Sequence, residues 1–209
     1  MKQVVLIVCV LALAGCAALT PTTSVESAYV IFDVKPVLKR EDLMKAVTEA
    51  VQKHNQRVSV NRNIPPANLP QTPGRFSLVD PFGGIQIQGR TPAKTAVCND
   101  PLLNISSQAN IRHGGLPEGT SFTLCLFPYK AGYHIDIYAV YEEGGGLSEA
   151  ITRNLLGSSS QFIPRAMEEV RIAVERLGGR VTIVESYIPE AFQGVFSNKG
   201  GEVSNTLKK

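Results

Sequence analysis

Two alternating segments joined by five residues constrain this chain more than any other feature. Ser121–Phe127 and Tyr133–Tyr141 flank Pro128-Tyr129-Lys130-Ala131-Gly132. Successive strand side chains point to opposite faces. Phe122, Leu124 and Leu126 therefore share one face, and Ile135, Ile137 and Ala139 make the matching face on the partner strand. Two such runs around a Pro- and Gly-bearing connection predict an antiparallel hairpin with one strongly apolar side. That side needs cover from another layer.

Further strands are predicted at Tyr29–Lys35, where Val30, Phe32 and Val34 alternate, and at Arg57–Val60. Short β segments follow at Arg75–Val79, Ile85–Gln88, Thr95–Cys98 and Asn104–Ser107, and Arg180–Tyr187 closes the series. Asp80-Pro81, Gly83-Gly84 and Asn99-Asp100-Pro101 punctuate them as turns.

The cover comes from two helices. Over Arg40–His54, the residues Leu43, Ala46, Val47, Ala50 and Val51 recur as one apolar stripe. Glu41 and Asp42 sit in its first turn, where the helix dipole favours negative charge. Phe162–Leu177 repeats the pattern through Ala166, Met167, Val170, Ala173 and Val174. The serines at 158–160 offer an N-cap, Pro164 is tolerated in a first turn, and Gly178-Gly179 is a stop. A shorter helix is predicted over Leu147–Leu156.

Ile64–Gly74 holds four prolines in eleven residues and must be an extended loop. The strand–helix–strand piece before it is too small to bury a core alone, so one domain is expected over residues 28–196. The predicted fold is α+β: a single antiparallel sheet of about five to seven strands with the two main helices packed on one face. Residues 197–209 read as a polar, disordered tail.

The N-terminus carries an export signal. Lys2 precedes an apolar run from Val4 to Leu13, which ends in Leu13-Ala14-Gly15-Cys16. A charged start, a short apolar core and a small-residue cleavage site describe a secretory signal peptide; a membrane span needs about 20 apolar residues. The last four residues resemble the lipobox of bacterial lipoproteins. The resemblance implies removal of residues 1–15 and lipidation of Cys16, with palmitate among the acyl chains. It implies a protein tied to a membrane by its N-terminus. Ala17 in the next position implies, on the same resemblance, the periplasmic side of the outer membrane of a two-membrane bacterium. Residues 17–27 are rich in Thr and Ser and read as a tether, spanning at most ~36 Å at about 3.3 Å per residue.

Four cysteines fit an exported chain. Cys9 leaves with the signal peptide and Cys16 is the lipid site. Cys98 and Cys125 remain, an even pair in an oxidising compartment, and are expected to form a disulfide. Closing a loop of about 28 residues stabilises a fold by roughly 3–4 kcal/mol in the chain-entropy treatment.

Little of the remaining sequence carries chemistry. The formal charge of +3 includes Lys2, and no dense basic stripe argues for nucleic acid. His54, His113 and His134 have no ligand-like spacing with one another, and no Cys-x-x-Cys occurs, so neither a metal nor a cofactor is expected. His134 and Asp136 lie two apart on a predicted strand and therefore share a face. No Gly-x-Ser-x-Gly elbow accompanies them, and the polar side of a hairpin accounts for the pair. Glu142 and Glu143 are adjacent, which on a strand sends them to opposite faces. Gly144-Gly145-Gly146 lacks the Gly-Lys-Ser/Thr ending of a phosphate loop.

Tyr129, Tyr133, Tyr138 and Tyr141 gather around the hairpin, and Tyr129, Tyr133 and Tyr138 are the candidate partner-binding residues. The expected function is a non-enzymatic binding or scaffolding lipoprotein with an envelope protein as partner and no cofactor. A carrier or sensor holding a small apolar ligand between sheet and helix is the first alternative. A hydrolase using His134 and Asp136 is the second.

Overall fold

The computed structural model describes residues 23–54, 58–81, 83–85, 93–113, 116–144 and 159–189. The expectations for the signal peptide, Cys16, the Leu147–Leu156 helix and the 197–209 tail lie outside them, as does most of the Ile85–Gln88 segment.

Six strands form one antiparallel sheet in the order β2-β5-β6-β7-β1-β8. These are β1 (Thr23–Lys35), β2 (Ser59–Arg62), β5 (Leu103–His113), β6 (Leu116–Tyr129), β7 (Gly132–Gly144) and β8 (Arg180–Tyr187). The hairpin of β6 and β7 is at its centre, with Leu124 opposite Ile137 and Leu126 opposite Ile135. Its strands run further than the alternation alone indicates, because β6 continues backwards to pair with β5 as far as His113–Leu116. β1 begins at Thr23, inside the segment expected as tether. Thr23–Ser27 pair with Val140–Gly144, and the long β7 supplies those backbone partners.

The two remaining strands depart from a single sheet. β3 (Phe76–Val79) and β4 (Thr95–Cys98) pair only with each other, as a separate two-stranded ladder. Each is four residues long, and turns containing Asp80-Pro81, Gly83-Gly84 and Asn99-Asp100-Pro101 bound them. The Cys98–Cys125 disulfide, with Cα atoms 5.9 Å apart, ties this ladder to β6.

α1 (Arg40–Gln52) and α2 (Ser159–Arg176) are the two helices. α1 has no side-chain cap, and its first turn closes through Leu43 N–H donating to the Lys39 carbonyl at 3.0 Å. α2 starts three residues before Phe162, which puts Pro164 inside the helix rather than in its first turn. It stops at Gly178, where φ is +86°. The Gly178 and Gly179 N–H groups bond back to the Glu175 and Val174 carbonyls.

Strand alternation sorts the interior into two groups. Val30, Phe32, Val34, Phe122, Leu124, Leu126, Ile135, Ile137 and Ala139 share the main core with Leu43, Val47 and Val51 of α1 and with Ile163, Met167, Val170 and Val174 of α2. Tyr29, Ile31, Tyr138 and Val140, the alternate positions on β1 and β7, pack instead with Ala96 of β4, and Phe76 of β3 lies against them.

The proline-rich loop is pinned to the sheet at both ends. Asn63 N–H donates to Leu102 O, Lys130 N–H donates to Pro70 O, and Gly74 lies on the Phe127 ring, where a Cβ would come within 2.6 Å of it. The chain then turns into Arg75 and β3.

Candidate functional site

The side of β1 and β7 that carries Tyr29 and Tyr138 also buries charge. Asp33 of β1 faces His134 of β7 across one register step, and Asp136 is two residues further along β7. Asp136 has no exposed surface and His134 is 8% exposed. The His134 Nε2 atom lies 3.8 Å from Asp33 Oδ1, and its Nδ1 atom lies 4.0 Å from Asp136 Oδ1. Asp33 accepts a hydrogen bond from Tyr129 and pairs with Lys35 at 2.9 Å. The Tyr129 ring meets the His134 ring edge-on.

β3 closes over this cluster. The Phe76 N–H donates to Asp136 Oδ2 at 3.0 Å, and the Arg75 Nε atom stands 3.6 Å from the same oxygen. Arg75 also bonds Glu185 of β8 at 2.9 Å, and Glu185 accepts from Tyr29 on its other oxygen. Residues from β1, β3, β7 and β8 thus form one polar network under a strap. Two of its buried atoms, His134 Nδ1 and Asp136 Oδ1, have no hydrogen-bond partner.

Burial sets the protonation of this network. It raises the Asp136 pKa to about 6, against the lowering effect of Phe76 N–H and Arg75. It lowers that of His134, against the Asp33 charge. Burial also acts upwards on Asp33, but the bonds from Tyr129 and Lys35 outweigh it and hold Asp33 below the usual carboxylate range. The Arg75 guanidinium holds Glu185 low. Both shifts favour the uncharged form of the buried group, while Asp33 and Glu185 keep their charge beside Lys35 and Arg75.

The pair singled out from sequence is therefore brought together, under β3 and not on an outer polar face. Among the described residues no serine bonds to His134, and no group of three or more His, Cys, Asp or Glu is placed to hold a metal ion. Asp33, Arg75, Tyr29 and Glu185 were not anticipated. Asp33 alone had a visible signal, a charge inside the apolar run Tyr29–Lys35.

The tyrosines are a correction. Tyr129, Tyr133 and Tyr138 are 6%, 5% and 5% exposed. Their hydroxyls are satisfied internally: Tyr129 on Asp33, Tyr133 on the Leu38 carbonyl at 2.9 Å and Tyr138 on the Lys94 carbonyl at 3.1 Å. Strand β1 supplies the acceptor for Tyr129 and loops supply those for Tyr133 and Tyr138, so the three rings are held inside and present no contact surface.

The open feature of the same face lies beside the strap. A groove of about 610 Å³ runs between β4 and the sheet formed by β2, β5 and β6. Ser59, Asn104, Ser106, Ser121, Thr123 and Thr95 line it. Ser59 is opposite Ser106 and Ser106 is opposite Thr123, which places hydroxyls in one row across three strands. The Asn104 amide donates to Cys98 Sγ at 2.8 Å. A second cavity of about 320 Å³ lies between α1 and α2, with Lys53 and Glu169 paired across it at 2.8 Å.

No family model matches this chain, and no curated protein does. A solved structure of an uncharacterised protein from Rhizobium leguminosarum shares 9% identity over 74% of this chain and 99% of its own, with a TM-score of 0.28. Among the described residues no helix is long and apolar enough to cross a membrane.

Proposed function

We propose that this chain is a lipid-anchored envelope protein that binds its target without transforming it. The anchor is Cys16, the location is the periplasmic side of the outer membrane, and no cofactor takes part. The sequence Leu13-Ala14-Gly15-Cys16 supports the anchor. One contrast on the sheet supports binding over catalysis. The His134–Asp136 pair is sealed beneath Arg75 and Phe76, whereas the groove beside it is open, and the polar groups described in its lining are mostly uncharged hydroxyls and amides.

The finer architecture in this reading is two-layered, with α1 and α2 on one face and the β3–β4 strap on the other. Residues of both helices share a core with only one alternation class of β1, β6 and β7, which favours it.

A photo-crosslinking residue at Ser59 should give a discrete adduct in intact envelopes, and one at Lys45 on α1 should not. Equal adducts at both sites, or none at either, would remove the binding reading. Metabolic palmitate should label the wild-type chain and not Cys16→Ala; label retained in the variant would remove the anchor. Turnover of an ester, peptide or glycan that is lost in a folded His134→Ala variant would replace binding with hydrolysis.

A further inference from the structure

We infer that the groove between β4 and the β2-β5-β6 face is a binding site for an uncharged, hydroxyl-rich saccharide. This rests on the binding reading above and gives it a ligand class. Charged residues make up 19% of the chain, yet among the described residues none contributes to the groove lining. Phosphates, carboxylates and ammonium groups find no counter-charge among those residues. An apolar ligand would bury the Ser59, Ser106 and Thr123 hydroxyls without partners, at a cost of roughly 1–3 kcal/mol for each group left unsatisfied. A saccharide removes that cost, because its hydroxyls and those of Ser and Thr each donate and accept.

The arrangement adds to the composition. Neighbouring strands lie about 4.8 Å apart, so the Ser59–Ser106–Thr123 row repeats its hydroxyls at nearly even steps across the floor. Ala96, on the sheet-facing side of β4, supplies a small apolar contact for the C–H face of a sugar ring. The two sides of the site are covalently joined. Cys98 belongs to β4 and Cys125 to the floor strand, and Asn104 bonds the Cys98 sulfur. The width of the groove is therefore set before any ligand arrives, which reduces the ordering cost of binding.

The test uses the purified, lipidated full chain in detergent micelles. It is titrated calorimetrically with neutral linear oligosaccharides of hexose and of N-acetylhexosamine, and with oligouronates as acidic counterparts. At least one neutral series should bind, and Ser106→Arg and Thr123→Arg should each weaken it at least tenfold. Should either arginine variant lose its folded circular dichroism, Thr123→Val keeps the size and removes the hydroxyl; a threefold or greater loss is expected there. The inference is overturned if no neutral oligosaccharide binds at millimolar concentration, if the uronates bind more tightly, or if the variants bind as wild type does. A Ser59 photo-adduct in envelopes without saccharide binding would retire the saccharide and leave the binding reading intact.

Discussion

His134 Nδ1 and Asp136 Oδ1 face each other at 4.0 Å inside the protein, and neither has a hydrogen-bond partner. Burial raises the Asp136 carboxyl to about 6 and lowers the His134 imidazole, so each group resists its charged form. The first shift favours folding at low pH and the second at high pH, so their pH effects on stability oppose each other.

Each single substitution should expose the other partner's slope. In His134→Gln, Asp136 keeps its raised pKa. Its contribution is then complete below about pH 4 and is lost as pH rises to about 6, by up to about 3 kcal/mol. In Asp136→Asn, the lowered His134 pKa gives the reverse, with stability present above about pH 6.5 and lost on acidification. Urea midpoints across pH 4–8, taken as differences from wild type, should slope in opposite directions. Parallel profiles for the two variants would mean that the residues do not titrate as a pair.

Replacing Cys98 and Cys125 together by Ser should lower stability by roughly 3 kcal/mol. For a chain of this size that is a fall of about 6–12 °C in Tm. Thiol labelling of the native, unreduced protein should find neither cysteine. Labelling at either one would show that the strap is not covalently held.

The buried tyrosines should behave as core residues. Tyr133→Phe removes only the bond to the Leu38 carbonyl and should cost about 1 kcal/mol. Tyr133→Ala should cost about 3–5 kcal/mol, the range for emptying a large buried aromatic site. Chemical denaturation of both variants checks this. A Tyr133→Ala protein as stable as wild type would restore the ring to the surface.

Gly132 starts β7 under tight constraint, for a Cβ there would fall 2.0 Å from the Val34 carbonyl oxygen. Gly132→Ala must push β1 and the β6–β7 turn apart. A loss of about 1–3 kcal/mol is expected from such overpacking. Gly83→Ala, at a position with open space but a positive φ of 60°, should cost less, and the order of the two midpoints is the measurement.

The central hairpin, both long helices and the disulfide were legible because each rests on local period or simple pairing. Leu124 opposite Ile137 follows from alternation alone. The strap was not legible. Nothing in Phe76–Val79 or Thr95–Cys98 tells whether four residues join a large sheet or only each other, since that depends on which edges are already occupied. The site was hidden for a related reason. Asp33, Arg75 and Glu185 come together from three strands far apart in sequence, and only the register of β1 against β7 and β8 brings them into reach. Tyr133 and Tyr138 misled because a Tyr can serve a surface or an interior equally well, and the acceptors that decide it lie on loops without periodicity.

The position of β1 between β7 and β8 has a consequence for how the chain comes to be folded. Val30 pairs on one side with Ile137 and on the other with Ser186, both more than a hundred residues later. The first strand to emerge must therefore wait for the last. Such non-local pairing makes assembly slow, because the entropy of closing a long loop is lost before the contacts that offset it can form. Until Arg180–Tyr187 is released, one edge of Thr23–Lys35 has no strand to pair with. A chain built this way holds its first strand open on one side until nearly all of it has been made, and only the arrival of its last strand closes the sheet.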